Sequence, residues 1–190
     1  MELQGERLIP ASIDTTWASL NDPEVLKACI AGCETLERTG DDAMTAVVAL
    51  KIGPVSARFK GNLKLTNVQP PTGYTINFDG QGGVAGFGKG SADVALSPEG
   101  TGTRLKYNAR AQVGGKMAQV GSRLIDAAAG KITEDFFKAF EAHLQASAAP
   151  GEVATVPAPA APDGGTAGMT KLWWLIGGIV LLAIVYFMIR

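Results

Sequence analysis

Histidine and cysteine are nearly missing from this chain, which has one His and two Cys among its 190 residues. A structural zinc site needs four ligands and an iron–sulfur cluster four thiolates, so neither is expected. Cys29 and Cys33 are also too few for a disulfide framework and read as reduced, partly buried thiols. Neither sign of charge is in excess: 17 Lys and Arg stand against 18 Asp and Glu, a formal net charge of −1. Phosphate backbones need a basic surplus, which argues against nucleic acid as a partner. The first ten residues, MELQGERLIP, carry charges and no apolar run, so no export signal is expected and the N-terminal part is placed in the cytoplasm. A nucleophile, a base and an orienting group within reach of each other are also wanting, so the chain is not expected to be an enzyme. His143, the lone imidazole, reads as a surface cap or dipole partner at a helix end.

What the chain does have is three dissimilar regions. LWWLIGGIVLLAIVYFMI, residues 172 to 189, is an 18-residue uncharged run between Lys171 and Arg190. As a helix it would rise ~27 Å, about the thickness of a hydrocarbon core. Leu172, Trp173 and Trp174 at one end, with Tyr186 and Phe187 near the other, suit the membrane interfaces. Residues 171 to 190 are therefore expected to be a single-pass transmembrane anchor. The preceding stretch, residues 147 to 170, is mostly Ala, Pro, Gly and small polar residues, the composition of an unfolded linker. Residues 1 to 146 remain as a folded domain tethered to the cytoplasmic face of the cell membrane.

That domain alternates like a half-wet antiparallel sheet. In VSARFKGNLKLT, residues 55 to 66, Val55, Ala57, Phe59, Gly61, Leu63 and Leu65 share one face, with polar residues on the other. TRLKYNARAQV, residues 103 to 113, repeats the pattern, and residues 45 to 52 and 74 to 78 give further strands. Near the start, SIDTTWASLNDPEVLKA holds two short helices broken at Pro23, with Ser12 or Asp14 capping the first and Asn21 or Asp22 the second. Late in the domain, Met117, Val120, Leu124, Ala128, Ile132, Phe136 and Phe140 form one stripe on a long helix over about residues 116 to 145, with Gly130 a kink point. The expected class is α+β: a curved antiparallel sheet wrapped around a long C-terminal helix.

The segment GVAGFGKGS, residues 83 to 91, comes within one residue of a phosphate-binding loop. Gly90 stands where the metal-binding hydroxyl belongs, and a strand-like run follows instead of a helix, which excludes that reading. The glycines are expected to leave space instead. Ala57, Gly61, Gly88, Gly90, Ala92, Ala109 and Ala111 make the inner face small, so an apolar ligand cavity is expected under the helix. Its candidate lining is Phe59, Phe78, Phe87, Tyr107, Met117, Leu124, Ile132 and Phe136, with Phe87 as a gate and the Tyr107 phenol orienting a ligand carbonyl. On the outer face Arg58, Lys60, Lys64, Arg104, Lys106 and Arg110 offer a basic docking patch for an acidic partner or anionic lipid; the alternative is a solvated sheet surface.

Three stretches, NDPEVLKACIAGCE (21 to 34), GQGGVAGFGKGSADVAL (80 to 96) and YNARAQVGGKMAQVGSRLIDAAAGKITEDFFKAF (107 to 140), resemble the carbon monoxide dehydrogenase G-subunit family. One departure is Ala31, where members of that family often carry Pro. The resemblance covers residues 1 to about 145 and implies a START-like, helix-grip fold. It also implies an accessory protein that recruits a cytoplasmic molybdenum hydroxylase, such as carbon monoxide dehydrogenase, to the membrane. Combined with the tether and the small inner face, it leads us to expect a carried lipophilic ligand, a respiratory quinone such as menaquinone. A ligand-free membrane scaffold and a tethered lipid-binding or transfer protein are the alternatives. Deleting residues 170 to 190 is expected to move the protein from the membrane fraction to the soluble fraction; a truncated chain that stays with the membrane would refute the anchor.

Overall fold

The computed structural model describes residues 1–148. Seven strands, β1 (Glu2–Ile9), β2 (Cys33–Gly40), β3 (Ala43–Ile52), β4 (Val55–Gln69), β5 (Gly73–Gln81), β6 (Phe87–Glu99) and β7 (Gly102–Gly114), form one antiparallel sheet in the order β1-β7-β6-β5-β4-β3-β2. Helices α1 (Ile13–Leu20) and α2 (Pro23–Cys29) follow β1, and α3 (Lys116–Gln119) and α4 (Ser122–Ala148) close the described chain. Among the described residues no helix is long and apolar enough to cross a membrane. The candidate anchor, residues 171 to 190, lies outside them. So does all of the expected linker except residues 147 and 148, which continue α4.

Local chemistry accounts for the helix starts. The Ser12 hydroxyl accepts from the Thr15 amide at 3.3 Å, and the Asp22 carboxylate accepts from the Glu24 amide at 2.9 Å. Pro23 then opens α2, where its missing N–H has no intrahelical partner to lose. The Thr103 hydroxyl donates to the Ala11 carbonyl at 2.8 Å, pinning the β1–α1 turn onto β7.

Strand direction gives the sheet two unlike ends. At one end α1 and α2 cover the interior, and Ile9, Leu20, Cys29, Leu96, Leu105, Phe137, Phe140 and Leu144 form a buried cluster. A second cluster beside it unites Leu36, Met44, Ala46, Leu65 and Tyr74. We call this the closed end. The other end carries the β3–β4 turn, the 3₁₀ turn Gly83–Ala85 and the start of α4, and we call it the open end. The glycine-rich segment lies here as a backbone-to-backbone contact: Gly86, at φ +112°, lies so close to Gly114 that a Cβ would overlap its carbonyl. No phosphate cradle results.

Three expectations need correction. The long helix is interrupted at Gly121 (φ +93°), where the chain turns between α3 and α4; Gly130 lies inside α4 without a break. The buried face of α4 runs through Ile125, Phe137, Phe140 and Leu144; of the expected stripe Phe140 is buried and Ile132 and Phe136 face the interior, but Leu124 is 49% exposed. Finally, the basic residues do not make one patch. Arg58, Lys60 and Lys64 lie on β4 and Arg104, Lys106 and Arg110 on β7, with β5 and β6 between them, a gap of ~14 Å at the usual strand spacing. Carboxylates also offset most of them: Arg58 pairs with Glu34 at 2.8 Å, Arg104 with Glu99 and Glu6, Lys106 with Glu6 at 4.0 Å, and Arg110 with Glu2 at 3.3 Å.

Phe140 is 0% exposed at the centre of the larger cluster. Phe140→Ala is expected to cost about 4 kcal/mol of stability, read by chemical denaturation, whereas Leu124→Ala should cost under about 1 kcal/mol because its side chain is half out of the fold.

Candidate ligand-binding site

A cavity of about 520 Å³ lies between the sheet and α4. Its floor is the inner face of five neighbouring strands. β4 gives Leu63 and Leu65, β5 gives Tyr74, Ile76 and Phe78, and β6 gives Ala92 and Val94. Leu105, Tyr107 and Ala109 come from β7, and Leu3 from β1. Leu36 and Met44 wall it on the β2–β3 side with Ile30, and Leu20 and Leu26 come from the short helices. The roof is the middle of α4, through Ile132, Thr133, Phe136 and Phe137. The space exists because Ala92 and Ala109 are direct cross-strand partners, so two methyl groups lie side by side where larger residues would meet the helix. A larger depression of about 650 Å³ lies on the outer sheet face, but it is open to solvent and two of its charges, Glu2 and Arg110, pair with each other.

The structure brings together half of the expected lining: Phe78, Tyr107, Ile132 and Phe136 border the cavity. The other four do not. The Phe59 ring lies against Gly82 near the open end, and Phe87 lies on the outer face over Gly114, its cross-strand partner, so it gates nothing. Met117 is buried in α3, and Leu124 points outward near the β3–β4 turn. Several lining residues were missed although their signals were present. Tyr74 shares the alternation of Ile76 and Phe78, and Phe137 is on the helical face of Phe140 and Leu144. Arg7 is half-buried on the inner face of β1, between Gly5 and Ile9.

Only three lining side chains carry polar atoms: Tyr74, Tyr107 and Thr133. The Tyr107 ring leans across β1, and a Cβ at Gly5 would come within 2.5 Å of its hydroxyl, so glycine is what allows that pose. Tyr107 also packs on Phe137 at 5.6 Å, and Arg7 lies over the same Phe137 ring at 5.6 Å while pairing with Glu134. Tyr74 meets Trp17 edge-on at 5.4 Å. Its burial pushes the phenol well above the ordinary tyrosine range, so it remains a hydrogen-bond donor at neutral pH.

The thiols are separate from this site. Cys29 is buried and Cys33 half-buried, both free, and burial raises both pKa values, with Lys27 partly offsetting the effect at Cys33. Among the described residues no group of His, Cys, Asp and Glu side chains is placed to hold a metal ion. His143 lies half-buried on the last turns of α4.

A seven-stranded antiparallel sheet gripping one long helix over an apolar cavity is the helix-grip fold of START-like and polyketide-cyclase-type proteins. The model of the carbon monoxide dehydrogenase G-subunit (CoxG) family matches residues 5–145, and the chain belongs to that family. Among solved structures, a conserved protein from Geobacillus kaustophilus is 30% identical with a TM-score of 0.73, over 77% of this chain and 97% of that one. A protein from Thermus thermophilus is 20% identical with a TM-score of 0.59, over 78% and 99%. The Zhui aromatase/cyclase from Streptomyces sp. R1128 is 12% identical with a TM-score of 0.53, over 76% and 93%, a likeness of fold alone. A comparison with curated proteins finds no match. Family and fold together indicate a ligand-binding accessory protein.

The buried phenol gives a pH test. The unfolded chain ionises Tyr74 near its ordinary value of 10.0, whereas the folded chain holds the proton to a higher pH. Stability is therefore full below pH 10 and falls as pH rises above it, by at most about 1.4 kcal/mol per unit. Tyr74→Phe is expected to remove this component, and denaturant titrations of both proteins between pH 9 and pH 11 would reveal it.

Proposed function

We propose that this chain is a membrane-tethered accessory protein that carries a respiratory quinone, such as menaquinone, under α4. In this reading it recruits a cytoplasmic molybdenum carbon monoxide dehydrogenase, or a related hydroxylase, to the membrane and links it to the respiratory chain. The observation that carries the ligand is the apolar cavity of about 520 Å³ under α4, within the usual range of ~300–1,000 Å³ for small-molecule sites. Its lining is almost wholly apolar, and leaving that surface to water is unfavourable, so a lipophilic molecule that covers it is stabilised by the burial.

Quinone chemistry suits the lining. Its carbonyls need hydrogen-bond donors, and the Tyr74 and Tyr107 hydroxyls are donors in an otherwise apolar chamber. Its isoprenoid chain needs only aliphatic and aromatic contacts. The family supplies the partner, the apolar run at 172 to 189 supplies the anchor, and an oxidoreductase in the cytosol has electrons to deliver to a pool in the bilayer. We assign recruitment to the outer sheet face, where Lys60 and Lys64 have no carboxylate partner among the described residues. We assign the chain a binding role, since the polar groups of the cavity lining are the hydroxyls of Tyr74, Tyr107 and Thr133 alone.

Protein purified from quinone-producing cells is expected to hold about one quinone per chain by mass spectrometry of the organic extract. Ala92→Leu, which fills the floor, should lower that occupancy at least tenfold while leaving the fold intact by circular dichroism. A wild-type chain that is empty and takes up no added quinone would leave only the scaffold role; a phospholipid in its place would make it a lipid carrier.

A further inference from the structure

At the closed end Leu36, Leu65, Leu96 and Leu105 are buried beneath the helices, but the opposite end is not covered. Leu50 and Ile52 on β3, Val55 and Ala57 on β4, and Val113 on β7 are inward-facing and apolar, yet all remain half-exposed. In the first two turns of α4 only Ile125 is buried. A Cβ added at inward-facing Gly88 would meet no atom within 4 Å, so there is free space behind the mouth. Around this opening stand three of the large apolar side chains that the fold leaves in solvent. Val84, on the 3₁₀ turn, is 85% exposed, Leu124 49%, and Phe87 40%. Single exposed apolar residues are ordinary, but three at one end around an apolar opening mark a contact surface.

The charges at this end indicate the partner. Lys51 is next to last in β3, Lys89 is third in β6, Lys116 opens α3 and Arg123 lies in the first turn of α4; all four are exposed, and none has an ion-pair partner among the described residues. Against them stand Asp79 and Asp126, while Glu2 and Glu34 are tied to Arg110 and Arg58. The closed end carries acids in excess on its turns and helices, Asp14, Asp22, Glu24, Asp41 and Asp42 against Lys27 and Arg38. A chain whose formal net charge is −1 therefore presents an apolar tip with a basic collar at one end and acids at the other. That is the surface of a body that seats on anionic lipid headgroups and dips a few side chains beneath them.

We propose that the open end docks onto an anionic lipid bilayer, with Val84, Phe87 and Leu124 entering the headgroup layer and the cavity mouth facing the membrane. The inference deepens the quinone-carrier reading and rests on it, since it supplies the route by which a lipid-soluble ligand enters. Chain length permits the pose. The 27 residues of α4 span ~40 Å from the open end to the closed end, where the described chain stops. The 23 residues from 149 to 171 can reach up to ~70 Å, enough to return past the domain to the same membrane.

The test uses residues 1–148 without the tail, a fragment that matches nearly the whole of a solved relative and contains the entire core described above. The fragment is expected to sediment with phosphatidylcholine vesicles containing phosphatidylglycerol, less with phosphatidylcholine alone, and to be released by salt. Lys89→Ala, Lys116→Ala and Arg123→Ala should each weaken binding about fivefold. Val84→Ser with Leu124→Ser should weaken it further in both lipid mixtures. An environment-sensitive fluorophore on Val84→Cys should shift to the blue with vesicles, while one on Asp41→Cys at the closed end should not. No binding, or equal shifts at both labels, would overturn the proposal. A Val84 shift that needs added dehydrogenase would assign the mouth to a protein partner and overturn it too. The full chain, washed with alkaline carbonate, tests the tail by itself: a chain that washes off has no anchor, whatever residues 1–148 do.

Discussion

The packing of Phe137, Phe140 and Leu144 onto Ile9, Leu20, Leu96 and Leu105 is the contact on which the rest of the molecule depends. It fixes the C-terminal half of α4 to the sheet and to the two short helices. The N-terminal half is held more loosely: in its first two turns only Ile125 is buried, and Ala92 and Ala109 lie side by side on the floor beneath the middle of the helix. A rigid helix held at one end over a floor that recedes must leave a gap. Interiors are packed at near-crystalline density, so a gap of this size is a specific product of the residue choice rather than slack.

Within that gap the sheet separates two kinds of chemistry. Inward positions are apolar apart from two phenols, a threonine and the Arg7–Glu134 pair near Phe137. Outward positions carry most of the strand charges, some of them tied into cross-strand pairs such as Arg110 with Glu2 and Arg104 with Glu6. Exposed pairs of this kind add little stability, typically under ~1 kcal/mol each, but they keep a broad sheet face soluble. The cavity is lined for apolar contact, with the hydroxyls of Tyr74, Tyr107 and Thr133 as its polar groups.

Much of the fold was legible along the chain. Alternation in residues 55 to 66 and 103 to 113 assigned β4 and β7 and their faces, and the helix starts were legible to within a choice of two caps each, of which the structure uses Ser12 and Asp22, because strand period and cap chemistry are local. Of the small inward residues that suggested a cavity, Ala92 and Ala109 border it and Ala57, Gly61, Gly88, Gly90 and Ala111 do not. Its lining was only half legible. Phe59 and Phe78 have the same periodicity and the same chemistry, but a strand fifteen residues long reaches from one end of the sheet to the other, and only its distal part passes beneath the mid-helix. Leu124 and Ile125 are neighbours of nearly equal hydrophobicity, and which one faces inward depends on the turn that Gly121 inserts ahead of them.

The sequence by itself determined what neighbouring residues decide: the strand faces, the helix caps, and the stretches that resemble a family with this fold. Only the tertiary structure decided what depends on residues distant in the chain. The sheet order β1-β7-β6-β5-β4-β3-β2 splits the basic residues into two groups by placing two strands between β4 and β7. The pairing of Phe87 with Gly114 puts an expected gate on the outer surface. The crossing of α4 over the floor fixes which aromatic rings border the space. Periodicity reports which side of an element is apolar; what that side meets depends on long-range pairing, which no local pattern encodes.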